Sequence, residues 1–436
     1  MSRSLAALAT LLALALPTVA AADPPWSAPQ NLSSPHLFVD PVDVTTSGNN
    51  TTLAWWDWQD GVGTSARNGV SLASRAPGAA TFGSERAAPG NTIDIAGYAQ
   101  TRAIALTARG DRTRIAVAFG ATSGTFGSQR TIASGTQLAR PVLAVNPSGA
   151  AAVAYFQDRG VTNDRVMVSL RRAGGSFGKP FQIAHGRVRS VAVAVGERGD
   201  VLVAWDTSTV IQARYMSPGA KGFQPIETIS SRATAGAEME AAIAGVGRGY
   251  VAWSAQLRTE GGTTGPVFNE VAVRPSGHRF RAAQLLEQDP ANLQQEPVVI
   301  ATQGRDATVA WTGFDGANER VRVAATDPSA RFGAPQDVSP AGRDSVASDI
   351  AIAGPTRVVV WDNGGFDANQ VFASVAPFGS PFGPAEAVSP AQEARAGRVV
   401  IAPQPTIVWT NRPAGSHPPG GIAAIQTFAQ AATRGS

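Results

Sequence analysis

The sequence predicts an all-β chain folded as a β-propeller of about eight four-stranded blades, with seven as the alternative count. Three observations predict it. A two-part unit recurs along the chain, and its turns are rich in Gly, Pro, Asn and Asp. One second half is missing at the C-terminal end. A matching segment stands at the N-terminal end.

The first half of the unit is a short apolar run ending in an aromatic residue. It reads "TTLAWW", "RIAVAF", "AAVAYF", "VLVAWD", "GYVAWS", "ATVAWT", "RVVVWD" and "TIVWT". The ring falls at Trp55, Phe119, Tyr155, Trp205, Trp253, Trp311, Trp361 and Trp409. One large side chain per unit at a fixed place is what packing between adjacent sheets requires. The second half reads "TFGSERAA", "TFGSQRTIA", "SFGKPFQIA", "GFQPIETIS", "RFRAAQLLE", "RFGAPQDVS" and "PFGPAEAVS".

Eight first halves thus face seven second halves. The eighth is "WSAPQNLSSP", residues 26–35, which matches "FGAPQDVSP", residues 332–340, with Trp26 in place of Phe332. The N-terminal segment is therefore expected to pair as the last strand of the unit that holds Trp409, closing the array into a ring. About 414 residues beyond the leader, shared by eight units, give about 52 per unit, the size of a four-stranded blade.

Within a unit the strands are lettered a to d. The third unit shows all four: "PVLAVN", turn "PSG", "AAAVAYF", a loop, "VMVSLRR", turn "AGGS", then "KPFQIA". Apolar and small or polar residues alternate as half-buried strands require. The second unit is short, because "AVAFGATSGTFGSQ" leaves no room for a full third strand, and this is the basis of the seven-blade alternative.

The first 22 residues read as an export leader. Arg3 precedes the apolar run "LAALATLLALAL", residues 5–16, Pro17 breaks it, and small residues offer cleavage near Ala21 or Ala22. The expected product is secreted or periplasmic, one propeller domain over 23–436, with no membrane span. The chain has no cysteine, which excludes disulfides and thiolate metal sites. Its four histidines fall in different units without ligand spacing, and no phosphate or calcium loop is present, so neither metal nor cofactor is expected. The net charge is +4 and the largest basic cluster is "RR" at 171–172, which gives no nucleic-acid stripe. Only Lys179 and Lys221 are lysine among 36 basic residues, an arginine bias assigned to GC-rich coding.

The "FGxPQxIS" phrase after a "VAW" strand resembles the repeats of secreted bacterial sialidase-like β-propeller proteins, over nearly all of the chain beyond the leader. The resemblance implies a propeller. Sialidases of that superfamily carry an Arg-Ile-Pro motif, a Tyr–Glu pair and S-x-D-x-G-x-x-W Asp boxes. This sequence has neither the Arg-Ile-Pro motif nor an Asp box, and none of its four tyrosines follows a catalytic pattern. No catalytic residue is transferred. "GGSFG", residues 174–178, fits G-x-S-x-G but stands between two strands, not at a strand-to-helix turn.

Antiparallel order puts the a–b and c–d turns on one face, and the b–c loops and d–a links on the other. The first set is tight. The second is long and polar, as in "WDWQDGVGTSARNG", "FQDRGVTNDR" and "TGFDGANER", with the links "GNTIDIAGYAQ" and "EQDPANLQQEP". Loops on a rigid scaffold are where binding residues gather. The candidates are Trp56, Asp57, Trp58 and Asp60, with the related pairs Phe314–Asp315 and Phe366–Asp367. Rings beside carboxylates suit stacking a sugar and holding its hydroxyls; equally, the extra rings can wedge against the next blade. The expected function is a non-catalytic binding or scaffold protein contacting a glycan or an extracellular protein. The alternative is a sialidase-like or other glycoside hydrolase, which needs a facing pair of carboxylates.

Overall fold

The computed structural model describes residues 26–34, 38–47, 50–59, 67–88, 93–98, 101–108, 113–120, 126–160, 162–232, 234–258, 264–289, 295–363, 369–391, 393–412 and 428–434. The leader and its expected cleavage site lie outside them. Among the described residues all regular structure is β-strand. No helix there is long and apolar enough to cross a membrane.

The strands form eight four-stranded antiparallel sheets. Sheets one to seven each use four consecutive strands and span 38–88, 93–135, 138–186, 190–228, 234–289, 299–337 and 346–387. The eighth takes Glu393–Ile401, Pro405–Arg412 and Phe428–Thr433 from one end of the chain and Gln30–Asn31 from the other. Gln30 pairs with Ala431 and Asn31 with Gln430. Flanking bonds extend the pairing, from Ser27 N to Thr433 O and from Leu32 N to Ala429 O, both 2.8 Å. The a strand of each sheet touches that of the next, and the a strand of the eighth touches that of the first.

Burial follows position in the sheet. In sheet three, Ala151–Gln157 (strand b) is buried at every residue but the last, because both of its faces are covered by neighbouring sheets. In sheet four, Ile211–Met216 (strand c) alternates buried and half-buried residues. Trp55, Trp205, Trp253, Trp311, Trp361 and Trp409 all lie on b strands and are among the largest fully buried side chains. Several arginines complete the packing. The Arg274 guanidinium lies 3.6 Å from the Tyr215 ring centroid, and that of Arg357 lies 4.7 Å from Phe382. At these places the arginine bias serves the core.

The second sheet corrects the reading of its unit. Its strands run Ile93–Tyr98, Thr101–Ala108, Thr113–Gly120 and Arg130–Gly135, so part of the expected link "GNTIDIAGYAQ" is strand a and Phe119 lies on strand c. Gly127 N donates to Phe119 O, just as Gly178, Gly333 and Gly383 donate to Leu170, Ala325 and Val375 on the c strands of their sheets. "RIAVAF" is thus not a first half. Its apolar pattern suits either inner position, and only the pairing tells b from c.

The repeated phrase has a mechanical meaning. Gln336, in "PQ", donates its amide N–H to Phe382 O and accepts from Phe382 N at its amide oxygen, both at 3.0 Å, so one side chain grips the next sheet's backbone twice. Gln284 does the same to Phe332. Gln30 does the same to Phe82, carrying the grip from the eighth sheet to the first. Between sheets seven and eight, Glu386 stands at the Gln position and accepts from the Trp26 indole at 2.8 Å and from Arg434 at 2.8 Å.

Candidate functional site

In five sheets the a–b ladder slips near the start of strand a, at the end facing the b–c loops. Such bulges turn side chains out of the regular alternation. In sheet three the slip falls between Ala139 and Val142 and contains Arg140, whose φ is +46° although it is not glycine. Gln137, just before the strand, has φ +59°. A following proline, here Pro141, restricts the preceding residue to extended backbone, so Arg140 is doubly unusual.

A cavity of about 640 Å³ opens here, between sheets three, four and five. Arg140, Arg187 and Arg189 line it together with Asp158, Asp164 and Glu238. Phe156 supplies a largely buried ring, and Gln137 and Gln295 supply amides. The b–c loop "FQDRGVTNDR" and the link "EQDPANLQQEP" both contribute, so the cavity lies on the face of long loops.

The walls are held by buried carboxylates. Asp164 accepts from Arg159 N in the loop and from Val188 N in the d–a link, both at 3.0 Å. Asp206 accepts from Ser208 N at 2.7 Å, Thr234 Oγ1 at 3.1 Å and Ala237 N at 2.9 Å, tying sheet four to the first strand of sheet five. Burial pushes the Asp206 carboxyl above its ordinary range despite these donors. Ser208, itself at φ +65°, accepts from Arg189 Nε at 2.7 Å and so orients that guanidinium. Both oxygens of Asp164 are committed to the backbone, which leaves Asp158 and Glu238 as the acids that face a ligand. Among the described residues, the side chains of Arg140, Arg187 and Glu238 make no hydrogen bond or ion pair. The described lining has no histidine, lysine or tyrosine.

A second group of acids sits on the first strands of sheets five and seven. Glu240 accepts from Ile300 N of the next sheet at 2.9 Å, and Asp349 accepts from Val399 N at 2.8 Å. Burial, then the charge of Asp349, pushes the Glu240 carboxyl up to about 8; burial raises Asp349 as well. A raised acid holds its proton in the folded chain after the unfolded chain has lost it. Stability from Glu240 is therefore present below its ordinary value of 4.5 and lost as pH rises toward about 8, by up to about 1.4 kcal/mol per pH unit. Glu240→Gln keeps an acceptor for Ile300 N and removes the titration. Thermal melts of this variant are expected to match wild type near pH 5 and exceed it above pH 8; equal loss in both proteins assigns the pH dependence to other groups.

The sequence candidates fall in different places. Trp56, Asp57 and Trp58 lie within strand Asn50–Gln59, longer than the loop reading allowed, where Trp56 pairs with Asp40 and Val70. The side chains of these three lie outside the described residues, as do Asp60, Phe366 and Asp367 entirely. Phe314 ends a b strand, and its N–H is accepted by Glu287 Oε1 at 3.2 Å. Asp315 forms the turn: Oδ1 accepts from Ala317 N and Asn318 N, and Oδ2 pairs with Arg320 at 3.1 Å. These donors hold its carboxyl down at about 2. Neither Phe314 nor Asp315 lines the cavity. The arginines that do line it gave no sequence signal, because they are isolated residues in an arginine-rich chain.

No family model matches the chain, and no curated protein matches it. Among solved structures, an ulvan lyase described as a new family of polysaccharide lyase aligns at TM-score 0.50 and 7% identity, over 92% of this chain and 94% of that one. The Dos1 propeller aligns at 0.48 and 13%, over 83% and 97%. The propeller domain of a protease from Pyrococcus furiosus aligns at 0.43 and 9%, over 81% and 96%. At these identities the likeness is one of fold, a β-propeller.

Proposed function

We propose that the chain is an exported β-propeller of eight blades, closed by its N-terminal strand, that serves as a non-catalytic binding module for a glycan. The observation that carries the reading is the cavity on the long-loop face, whose described lining offers guanidiniums, amides, two ligand-facing carboxylates and one ring, the groups that hydrogen-bond and stack a sugar. Ring closure is supported by the contact between the first and last a strands and by Gln30, which grips Phe82 as Gln284 and Gln336 grip their own neighbours. The leader motif of residues 1–22 supports export. The ulvan lyase of like fold takes a polysaccharide, and this is the class to test first. Trp56 and Trp58, on the same face, are proposed as a second contact.

The test is a glycan array probed with wild type, Glu238→Trp and Trp56→Ala/Trp58→Ala, beside an assay for newly released sugar ends. Glu238 is exposed and, among the described residues, without a partner, so a large ring there fills the cavity without breaking a bond. Wild type is expected to bind without releasing ends, and Glu238→Trp is expected to lose binding while melting normally. Release of ends overturns the non-catalytic reading. Full binding by Glu238→Trp removes the cavity, and full binding by the double variant removes the tryptophans.

A further inference from the structure

We infer that the cavity recognises a carboxylated sugar, a uronate unit of an acidic polysaccharide, with Arg140 and Arg187 gripping the carboxylate. The inference rests on the glycan-binding reading and narrows it to a substrate class.

The first ground is guanidiniums left without partners, although the arginines and carboxylates of the lining balance in number. Three guanidiniums line the cavity, and Asp164 is fully used by the backbone. Asp158 spends Oδ1 on Gly160 N at 2.9 Å. Arg189 is held through Nε by Ser208, and its charge acts on the buried Asp206 carboxyl. Arg140 and Arg187 have no partner among the described residues. An unpaired guanidinium presents a planar fork that matches a carboxylate in a bidentate grip.

The second ground is the backbone that carries Arg140. A residue at positive φ before a proline is costly, and glycine would relieve the cost. The bulge between Ala139 and Val142, and the bond from Asp158 N to Gln137 O at 3.0 Å, keep this segment in place. Strain of this kind persists at sites where it aims a side chain.

The third ground is the mixture of chemistries. A simple anion needs no acceptors, and a neutral sugar needs no guanidinium. This cavity has both, with Asp158 and Glu238 available to accept from hydroxyls, two amides, and the Phe156 ring. Its volume lies within the range of small-ligand pockets, about 300–1,000 Å³.

The experiment is calorimetric titration of the full chain with hexamers of galacturonate and of mannuronate. Each is paired with its carboxyl-reduced, neutral counterpart. Glycine and hexaglutamate serve as competitors. At least one uronate hexamer is expected to bind about tenfold or more tighter than its reduced form, with affinity falling as salt rises. Arg187→Ala and Arg140→Gly are each expected to weaken that binding by about tenfold or more. Arg140→Gly is also expected to melt at or above the wild-type temperature, since it relieves the backbone and removes no described contact. Equal binding of reduced hexamers, or full binding by both arginine variants, overturns the carboxylate grip while leaving glycan binding in place. Competition by glycine or hexaglutamate as strong as by uronate overturns the sugar assignment. Failure of wild type to bind any saccharide, uronate or neutral, removes both readings.

Discussion

Deletion of residues 26–34 is expected to abolish most of the fold's stability and to drive the chain into aggregates. These residues supply the outer strand of the eighth sheet, and without them Phe428–Thr433 becomes an open edge ready to pair with another chain. Ser33 Oγ accepts from Ala429 N at 2.9 Å and Ser27 Oγ from Thr433 N at 3.0 Å, so the loss strands backbone donors as well. Leu32 packs in one cluster with Leu53, Trp55, Phe82 and Ala429, which joins the eighth sheet to the first. Emptying the site of one buried leucine costs about 2–5 kcal/mol, against a total of about 5–15 kcal/mol for a domain. Light scattering and thermal melts check the result, and a synthetic peptide of residues 26–34 is expected to restore part of the melt. A monomeric deletion variant melting at the wild-type temperature removes the closure. The narrower change Gln30→Ala leaves Phe82 N–H and C=O without their grip and is expected to cost about 1–3 kcal/mol.

Trp361→Ala is expected to lower stability by about 3–5 kcal/mol. The residue is 0% exposed and stacks on Phe372, with ring centroids 6.1 Å apart and planes 15° from parallel. It also touches a cluster shared with the preceding sheet, including Val299, Val321 and Val338. A finer comparison separates packing from hydrogen bonding. The Trp361 indole N–H has no acceptor among the described residues, whereas that of Trp311 donates to Glu287 Oε2 at 2.7 Å. Trp311→Phe is therefore expected to cost about 1–2 kcal/mol more than Trp361→Phe, since it withdraws a donor from a charged carboxylate. Denaturant midpoints at unchanged slope measure the difference. Equal costs make the Glu287 bond energetically idle.

The repeat was legible because each copy solves the same local problem with the same residues. A buried central strand demands a continuous apolar run, and a ring between sheets demands an aromatic at one register. The Gln of "PQ" demands a backbone to grip. The residues that meet those demands recur at the same place in each unit, so they leave a pattern that can be read without coordinates. The match of "WSAPQNLS" to "FGAPQDVS" was informative for the same reason, since Gln30 and Gln336 perform the same two hydrogen bonds. The long-loop face was also legible, because antiparallel order alone places the loops.

Tertiary structure decided what pattern left degenerate. "RIAVAF" satisfies the burial of strand b and of strand c alike, and hydrogen-bond pairing to Thr101–Ala108 and Arg130–Gly135 chose c. "TGFDGANER" reads as a sugar-binding loop or as a turn, and the donors around Asp315 made it a turn. The cavity joins residues from Gln137 to Gln295, far apart in the chain, across three sheets. Arg140 is one arginine among many in the sequence. What singles it out is a ladder slip and a positive φ, and both exist only once strand a has paired with strand b. The sequence marked most of the strands and the pairing of the N-terminal segment with the last sheet, because those follow from local burial and turn chemistry, but it left strand Ile93–Tyr98 and the Trp56–Trp58 stretch among the loops. Which charges stay unpaired was decided only by the packed structure, since pairing depends on neighbours that the fold, and not the chain order, brings within reach.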